Sequence, residues 1–334
     1  METRQLGRSG PRVAQLGLGL MGMSDLYGPA DRGESIATIH AALEAGVTLL
    51  DTGDFYGMGH NEMLLREALA GGRRENAVIS VKFGALRDPD GGWSLSDGRP
   101  AAVKNFAAYS LQRLGTGHID IYRPARLDPN VPIEDTVGAI ADLIKAGHVR
   151  HIGLSEVSAE TLRRAHAVHP ISDLQIEYSM ISRGIEREIL PVARELGIGI
   201  TAYGVLSRGL ISGHWTKQRE GEADFRGQFS PRFQGANLER NLDLVERVRA
   251  IADGLGMTVA QLAIAWVAAQ GADIVPLVGA RRRDRLQEAL GATGIVLSAA
   301  DLARLDEAVP ADAAAGGRYN DYLATDLDSE QSPN

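Results

Sequence analysis

The feature that most constrains this chain is a series of eight short apolar runs spaced along almost its whole length. They are rich in Val, Ile and Leu, as expected of strands that are buried on both faces. Amphipathic stretches separate them; residues 134–145, for example, begin with acidic side chains and end at Lys145-Ala146-Gly147. The runs are residues 16–20, 47–50, 78–81, 119–122, 149–153, 173–176, 198–202 and 274–277. Eight strands with helical crossovers in 334 residues predict an α/β fold, a (β/α)8 TIM barrel.

The two ends of the chain differ from this repeating pattern. About the first 15 residues predict an N-terminal β-hairpin, with a turn at Ser9-Gly10, that closes one end of the barrel. No internal linker is evident, so residues 1–334 are predicted to form a single domain. The segment from about 311 to 334 is rich in Ala, Gly and acidic residues, and we expect it to be partly flexible, with its last ten residues mobile.

Composition argues against several classes of function. The chain has no cysteine, which excludes disulfides and thiolate metal sites and fits a cytoplasmic protein; no metal is predicted. Its net charge of −8 argues against nucleic acid or an anionic membrane as a partner. No apolar run approaches the roughly 18 residues of a membrane span.

Residues 17–22 match the G-x-G-x-x-G fingerprint of dinucleotide-binding βαβ folds. That fingerprint requires the third glycine to open a helix whose N-terminus holds the pyrophosphate. Here a helix is predicted only after Asp31. We therefore interpret these glycines as the end of a barrel strand.

Polar residues recur where the predicted strands end. They are Asp51, Lys82, Ser155, Glu156, Gln175, Tyr203 and Arg281. The carboxyl ends of parallel barrel strands meet at one rim, which is where barrel enzymes build their active sites. The sequence therefore predicts an active site at this rim.

Several segments, in this order and spacing, resemble the aldo-keto reductases over nearly the whole chain. They are G-L-G-L-M-G-M-S, T-L-L-D-T-G-D-F-Y-G, H-N-E-M-L-L, V-I-S-V-K-F-G, D-P-N-V-P-I-E-D-T-V, V-R-H-I-G-L-S-E-V, L-Q-I-E-Y-S and I-V-P-L-V-G-A-R-R-R. The resemblance implies a barrel enzyme that reduces an aldehyde or ketone to the alcohol with NADPH.

The resemblance also implies the catalytic residues. Tyr56 matches the family's general acid, Lys82 the lysine that lowers the tyrosine pKa, and Asp51 the partner of that lysine. The alternative is a purely structural ion pair between Asp51 and Lys82. Ala125 stands where the family usually has a histidine, and losing such a donor typically costs about 10²–10³ in rate. Arg123 either donates to the substrate instead, forms an interior ion pair or packs as an ordinary interior residue.

Cofactor contacts follow from the same resemblance. Ser155, Glu156 and Gln175 match positions that hold the nicotinamide carboxamide, and Tyr203 matches the aromatic residue that stacks on the ring. Pyrophosphate contacts are implied at Leu206, Arg208 and Gly209. After the eighth strand, which ends at Gly279, Arg281 and Arg285 match contacts to the 2′-phosphate of NADPH/NADP⁺, and Glu288 matches the adenine contact. The alternative for the arginines is a solvated basic helix face.

Substrate specificity is expected in the loops 87–99 and 207–235, where Trp93 is either a pocket wall or a loop anchor. The chain also resembles the pyridoxal reductase branch through A-R-x-D-P at 125–129, G-L-S-E-V-S-A-E at 153–160 and R-Y-N at 318–320. Pyridoxal or another small aromatic aldehyde is therefore the candidate substrate. Because of Ala125, the alternative function is an NADP(H)-binding sensor with weak or vestigial reductase activity. The oligomeric state and the preferred direction of reaction are left open.

Overall fold

The computed structural model describes residues 1–24, 27–216 and 225–331. Within them, parallel strands form a closed eight-stranded barrel in the order β3-β4-β5-β8-β9-β10-β11-β12. The strands are β1 Thr3–Gln5, β2 Arg12–Ala14, β3 Gly17–Gly19, β4 Leu49–Gly53, β5 Val78–Phe83, β6 Ala85–Arg87, β7 Trp93–Ser96, β8 Ile119–Pro124, β9 Val149–Ser155, β10 Ile171–Glu177, β11 Gly199–Tyr203 and β12 Ile274–Gly279. Each of the eight predicted runs contributes a barrel strand, so the TIM-barrel prediction is confirmed.

Helices follow the barrel strands and pack around them. They are α1 Arg32–Glu44, α2 His60–Ala68, α3 Pro100–Leu114, α4 Ile133–Lys145, α5 Ala159–Val168, α6 Ile189–Leu196, α7 Phe225–Phe229, α8 Gly235–Gly254, α9 Val259–Ala269, α10 Arg283–Leu290, α11 Ala299–Ala308 and α12 Asp321–Ala324. In the described chain no single helix is long and apolar enough to cross a membrane; α8 and α9, which meet at 88°, pass such a test only as a bent pair.

The predicted N-terminal hairpin is present and closes the amino end of the barrel. Strands β1 and β2 pair antiparallel. Leu6 and Val13 are fully buried and pack against Leu49, Ile121 and Val275 of the barrel strands. The carboxyl rim, where the sequence predicts the active site, therefore lies at the opposite end of a barrel that is plugged below.

The glycine-rich segment 17–22 is not a dinucleotide fingerprint. Its first three residues form β3, and a side chain at Gly17 would lie within 3.0 Å of Leu277 and Leu49 inside the barrel. The next helix, α1, begins only at Arg32, with Asp31 as its N-cap. The predicted interpretation of these glycines as a strand end is confirmed.

The described part of the C-terminal segment lies across the carboxyl rim. Leu327 is buried, Ser329 N donates to the carbonyl oxygen of Glu156 at 3.2 Å, and Asp328 accepts from Ser158 N at 2.7 Å. Residues 332–334, and residues 217–224 of the predicted substrate loop, lie outside the described residues. The predicted flexibility of the C-terminal segment stays a prediction.

Candidate active site

Asp51 is the centre of a buried polar cluster at the ends of β4, β5 and β10. Lys82 Nζ donates to its Oδ1, while Ser80 Oγ and Gln175 Nε2 each donate to its Oδ2 at 2.8 Å. Burial lowers the pKa of Lys82 to about 8, although the charge of Asp51 opposes the shift. The ammonium is therefore mostly retained at neutral pH, and it titrates only slightly above it.

Tyr56 lies directly above this pair. It follows β4, and its ring centroid is 5.5 Å from Lys82 Nζ. Burial first, and then the Asp51 carboxylate, raise the pKa of Tyr56 well above its ordinary value. The net shift is opposite to the lowering by lysine that the resemblance implied, because desolvation of the phenolate outweighs nearby positive charge. At neutral pH the phenol is therefore protonated and can donate.

Arg123 belongs to a second, deeper ion pair. The side chain is 0% exposed, and its Nη1 lies 2.9 Å from Asp173 Oδ2. Its Nη2 donates at 3.0 Å to Ser80 Oγ, which in turn donates to Asp51. The interior ion pair that was one alternative for Arg123 is observed, and with these hydrogen bonds the geometry gives no support to its role as a substrate donor.

Ala125 occupies the position beside Tyr56 that its motif predicts. It follows β8, its N–H donates to the carbonyl oxygen of Phe83 at 2.8 Å, and its methyl group packs with Phe55 and Tyr56. A methyl group cannot donate a hydrogen bond. Position 125 therefore offers a small apolar side chain beside Tyr56 and no side-chain hydrogen-bond donor.

Trp93 lies in the same aromatic layer. It is on β7, which forms a two-stranded hairpin with β6 after β5. Its ring meets Phe55 edge-on with centroids 5.6 Å apart, and the Arg87 guanidinium lies 4.2 Å from it. The indole is 42% exposed. It thus borders the space above Tyr56 and is accessible at the rim.

Glu156 is held by the C-terminal segment. Its carboxylate accepts hydrogen bonds from Tyr203 Oη at 2.7 Å, Glu177 N at 2.9 Å, Arg318 at 2.9 and 3.1 Å, and Ser329 Oγ. Burial alone raises the pKa of a carboxyl, but Arg318 outweighs it and holds the pKa of Glu156 far below its usual range. Because its oxygens are occupied, Glu156 has little capacity left for a carboxamide.

The other two residues expected to bind the carboxamide lie side by side. Ser155 ends β9 and is paired in register with Gln175 of β10. Ser155 is buried, whereas Gln175 directs its amide nitrogen to Asp51. The hydrogen bond from Gln175 to Asp51 therefore connects the expected nicotinamide position to the cluster of Asp51, Lys82 and Tyr56.

The loop after β11 has an unusual backbone. Leu206 packs on the core, and the next three residues, Ser207, Arg208 and Gly209, have left-handed φ values of 45°, 57° and 98°. The Arg208 side chain donates to the carbonyl oxygen of Arg318 at 2.6 Å, and its guanidinium lies 4.1 Å from the ring centroid of Tyr319. The loop and the C-terminal segment thus form one surface.

A narrow cavity behind this loop is rich in hydrogen-bond donors. It is lined by Glu177, Ser207, Arg208, Ser230, Arg232, Phe233 and Arg318. Among the described residues, the buried Ser230 Oγ has no hydrogen-bond partner. The Glu177 carboxylate in the same lining forms ion pairs with Arg208, Arg232 and Arg318.

Beyond Gly279, the end of β12 carries a second basic group. Arg281 donates to the carbonyl oxygens of residues 27–29 at 2.8 to 3.1 Å. Arg285 contacts His214 at 2.6 Å and Glu288 at 3.2 Å. The structure thus brings Arg285 and Glu288 together, and it adds His214, which no local sequence pattern indicated.

Comparison with known proteins decides the family. The model of the aldo/keto reductase family matches residues 15–310. The chain belongs to the aldo/keto reductase family. It is 42% identical over 322 residues to a probable aldo-keto reductase 1 of Glycine max, covering 96% of this chain and 92% of the relative. Membership implies NAD(P)H-dependent carbonyl reduction and therefore an oxidoreductase.

Solved structures of aldo-keto reductases share the fold. The glycerol dehydrogenase AKR11B4 of Gluconobacter oxydans superposes with a TM-score of 0.84 at 26% identity, covering 99% of this chain and 98% of that one. The aldo-keto reductase AKR11C1 of Bacillus halodurans, in its holo form, gives 0.78 at 26% identity, covering 93% and 97%. In the present aldo/keto reductase, the cofactor-phosphate contacts predicted in the loop after β11 and at the arginines after β12 stay predictions.

Proposed function

We propose that this aldo/keto reductase uses NADPH to reduce small aromatic aldehydes, with pyridoxal as the leading candidate. The observation that carries the proposal is the cluster of Asp51, Lys82 and a protonated Tyr56 at the open rim. Arg281 and Arg285 support NADPH over NADH, because guanidinium groups suit a 2′-phosphate.

The residues of the cluster divide the proton chemistry among them. When bound, the nicotinamide supplies a hydride to the carbonyl carbon. Tyr56 donates its phenolic proton to the carbonyl oxygen and is left as a phenolate. The Lys82 ammonium stabilises that phenolate, since an opposite charge nearby favours the ionised form. Asp51, fixed by Ser80 and Gln175, holds the ammonium in place.

The aromatic layer supports an aromatic substrate. Phe55 and Trp93 meet edge-on beside Tyr56, and flat rings pack well in such surroundings. Ala125 leaves room next to the carbonyl but offers no donor. In pyridoxal a hydroxyl group lies ortho to the aldehyde, so the substrate itself places a polar group beside the carbonyl.

Ala125 also favours a second function, namely a sensor that binds NADP(H) without efficient turnover. The experiment that separates the two is NADPH consumption with pyridoxal and a panel of aldehydes and ketones, for the wild type and Tyr56→Phe. General acid catalysis is typically worth about 10²–10⁴ in rate, so Tyr56→Phe should lower kcat by that factor.

The matched control is Tyr109→Phe, because Tyr109 is exposed on α3, away from the rim. It should leave turnover unchanged, and both variants should bind NADPH as the wild type does in a fluorescence titration. Tight NADPH binding by the wild type with no turnover of any carbonyl would contradict the reductase and support the sensor.

A further inference from the structure

Arg126 lies beside the reacting centre and takes no part in the two interior ion pairs. It follows Ala125, and its Nη1 donates to the carbonyl oxygen of Ala125 at 2.7 Å. The guanidinium therefore lies close to the main chain of Ala125, the position at which the family usually has a histidine. Its charge also acts on Tyr56. Burial and Asp51 raise the pKa of Tyr56, and the positive charge of Arg126 opposes that rise.

Charge balance leaves Arg126 available for an anion. Among the described residues no carboxylate forms an ion pair with it; burial lowers the pKa of Arg126, but Tyr319, Tyr203 and Glu156 outweigh burial and raise it. The Glu156 oxygens are already occupied, chiefly by Arg318, and Glu177 faces Arg208 and Arg318. Neither carboxylate therefore needs Arg126, and four of its five N–H groups have no acceptor within the described chain.

We propose that Arg126 binds a negatively charged oxygen next to the reacting carbonyl, so that the preferred substrates are aryl aldehydes with an ionised hydroxyl group ortho to the aldehyde. This rests on the proposed reductase function and specifies its substrate class. Ala125 provides the space, Phe55 and Trp93 border the ring, and Arg126 anchors the anion. Tyr56 remains the proton donor to the carbonyl oxygen.

The physical basis is the strength of a charge-assisted hydrogen bond in a partly desolvated site. Such bonds are roughly twice as strong as neutral ones, and a guanidinium can offer two parallel N–H groups to one anion. Hydrogen bonds to charged groups contribute enough to alter kcat/KM by about 10- to 100-fold. For a substrate that lacks the anionic oxygen, Arg126 should not raise kcat/KM.

The test compares 2-hydroxybenzaldehyde with 2-methoxybenzaldehyde, which has a similar shape but no ionisable hydroxyl group. We expect Arg126→Gln to lower kcat/KM for the hydroxy compound about 10- to 100-fold and that for the methoxy compound less than about threefold. Arg126→Lys should retain part of the preference because it keeps the charge. Arg163→Gln, at an exposed arginine of α5 paired with Glu195, is the control and should change neither value.

A binding measurement tests the same residue without turnover. Calorimetry with the NADP⁺-loaded enzyme should show that benzoate binds more tightly than benzamide, and Arg126→Gln should abolish the difference. If the wild type reduces neither aldehyde but keeps the benzoate preference through Arg126, the reductase function fails and the anion site stands. If Arg126→Gln lowers kcat/KM equally for both aldehydes and the benzoate preference is unchanged, the assignment of Arg126 is overturned and the reductase function stands.

Discussion

At the scale of single residues, the site depends on how burial and charge compete. Burial lowers the pKa of Lys82 and raises that of Tyr56, while Asp51 acts against the first shift and adds to the second. One carboxylate thus keeps both the ammonium and the phenol protonated near neutral pH. That state is the one a reductase needs before each proton transfer.

This balance predicts a pH dependence. The pKa of Lys82 in the folded protein is about 8, below its ordinary value, so its positive charge is lost as the pH rises through about 8. We expect kcat/KM for reduction to fall over that range. Asp51 raises the Lys82 pKa, so Asp51→Asn should move the fall to lower pH. The control is Asp142→Asn, on the exposed face of α4, which should leave the pH profile of kcat/KM unchanged. A shift of the Asp51→Asn profile to higher pH would contradict the role given to Asp51.

At the scale of elements, the C-terminal segment is fastened to the barrel through buried charge. Arg318 joins it to Glu156 after β9 and to Glu177 at the end of β10. Tyr319 lies against Arg208 of the loop after β11. The C-terminal segment thereby connects three neighbouring strand ends at the carboxyl rim. We expect these contacts to reduce the mobility of the whole rim.

The contribution of this fastening can be measured. The Arg318 side chain is 11% exposed and Glu156 is 0% exposed, so Arg318→Met leaves a buried carboxylate without its cation. Such a loss typically costs about 3–5 kcal/mol of unfolding free energy. We also expect faster hydrogen exchange at Ser329 N, which donates to Glu156. Glu330 is 50% exposed, so Glu330→Gln should cost no more than about 1 kcal/mol. Equal effects of the two variants would show that the buried contact is unimportant.

The same segment shows where sequence reasoning succeeds and where it stops. The barrel strands and α4 are predicted because their apolar periodicity is local. The Arg318–Glu156 pair joins residues 162 positions apart, and no local pattern indicates it. The R-Y-N motif drew attention to Arg318 only through resemblance. Similarly, Arg126 is visible in the sequence, but the absence of an ion-pair partner for it among the described residues depends on the packing of distant side chains.

At the scale of the whole molecule, stability and catalysis lie at opposite ends of the barrel. The N-terminal hairpin buries Leu6 and Val13 against barrel side chains, far along the strands from Tyr56. Between the two ends are the two ion pairs linked by Ser80. Changes in the hairpin should therefore affect unfolding without altering the chemistry.

Leu6→Ala tests that separation. Leu6 is fully buried, and removing such a side chain typically costs about 2–5 kcal/mol. We expect this loss in urea unfolding, with kcat unchanged at temperatures where the variant is folded. Glu2→Ala, at an exposed residue of the same segment, should change stability by less than about 0.5 kcal/mol. A large fall in kcat for Leu6→Ala would show that the two ends are coupled.

The plugged lower end also has a consequence for the kinetics. Because the hairpin and the two ion pairs fill the barrel below Tyr56, the described part of the chain leaves the carboxyl rim as the side from which molecules reach this tyrosine and depart. Two reactants that share one entrance cannot pass each other inside it. The one that sits deeper must arrive first and depart last, so the order of exchange is decided by depth in the pocket rather than by relative affinity.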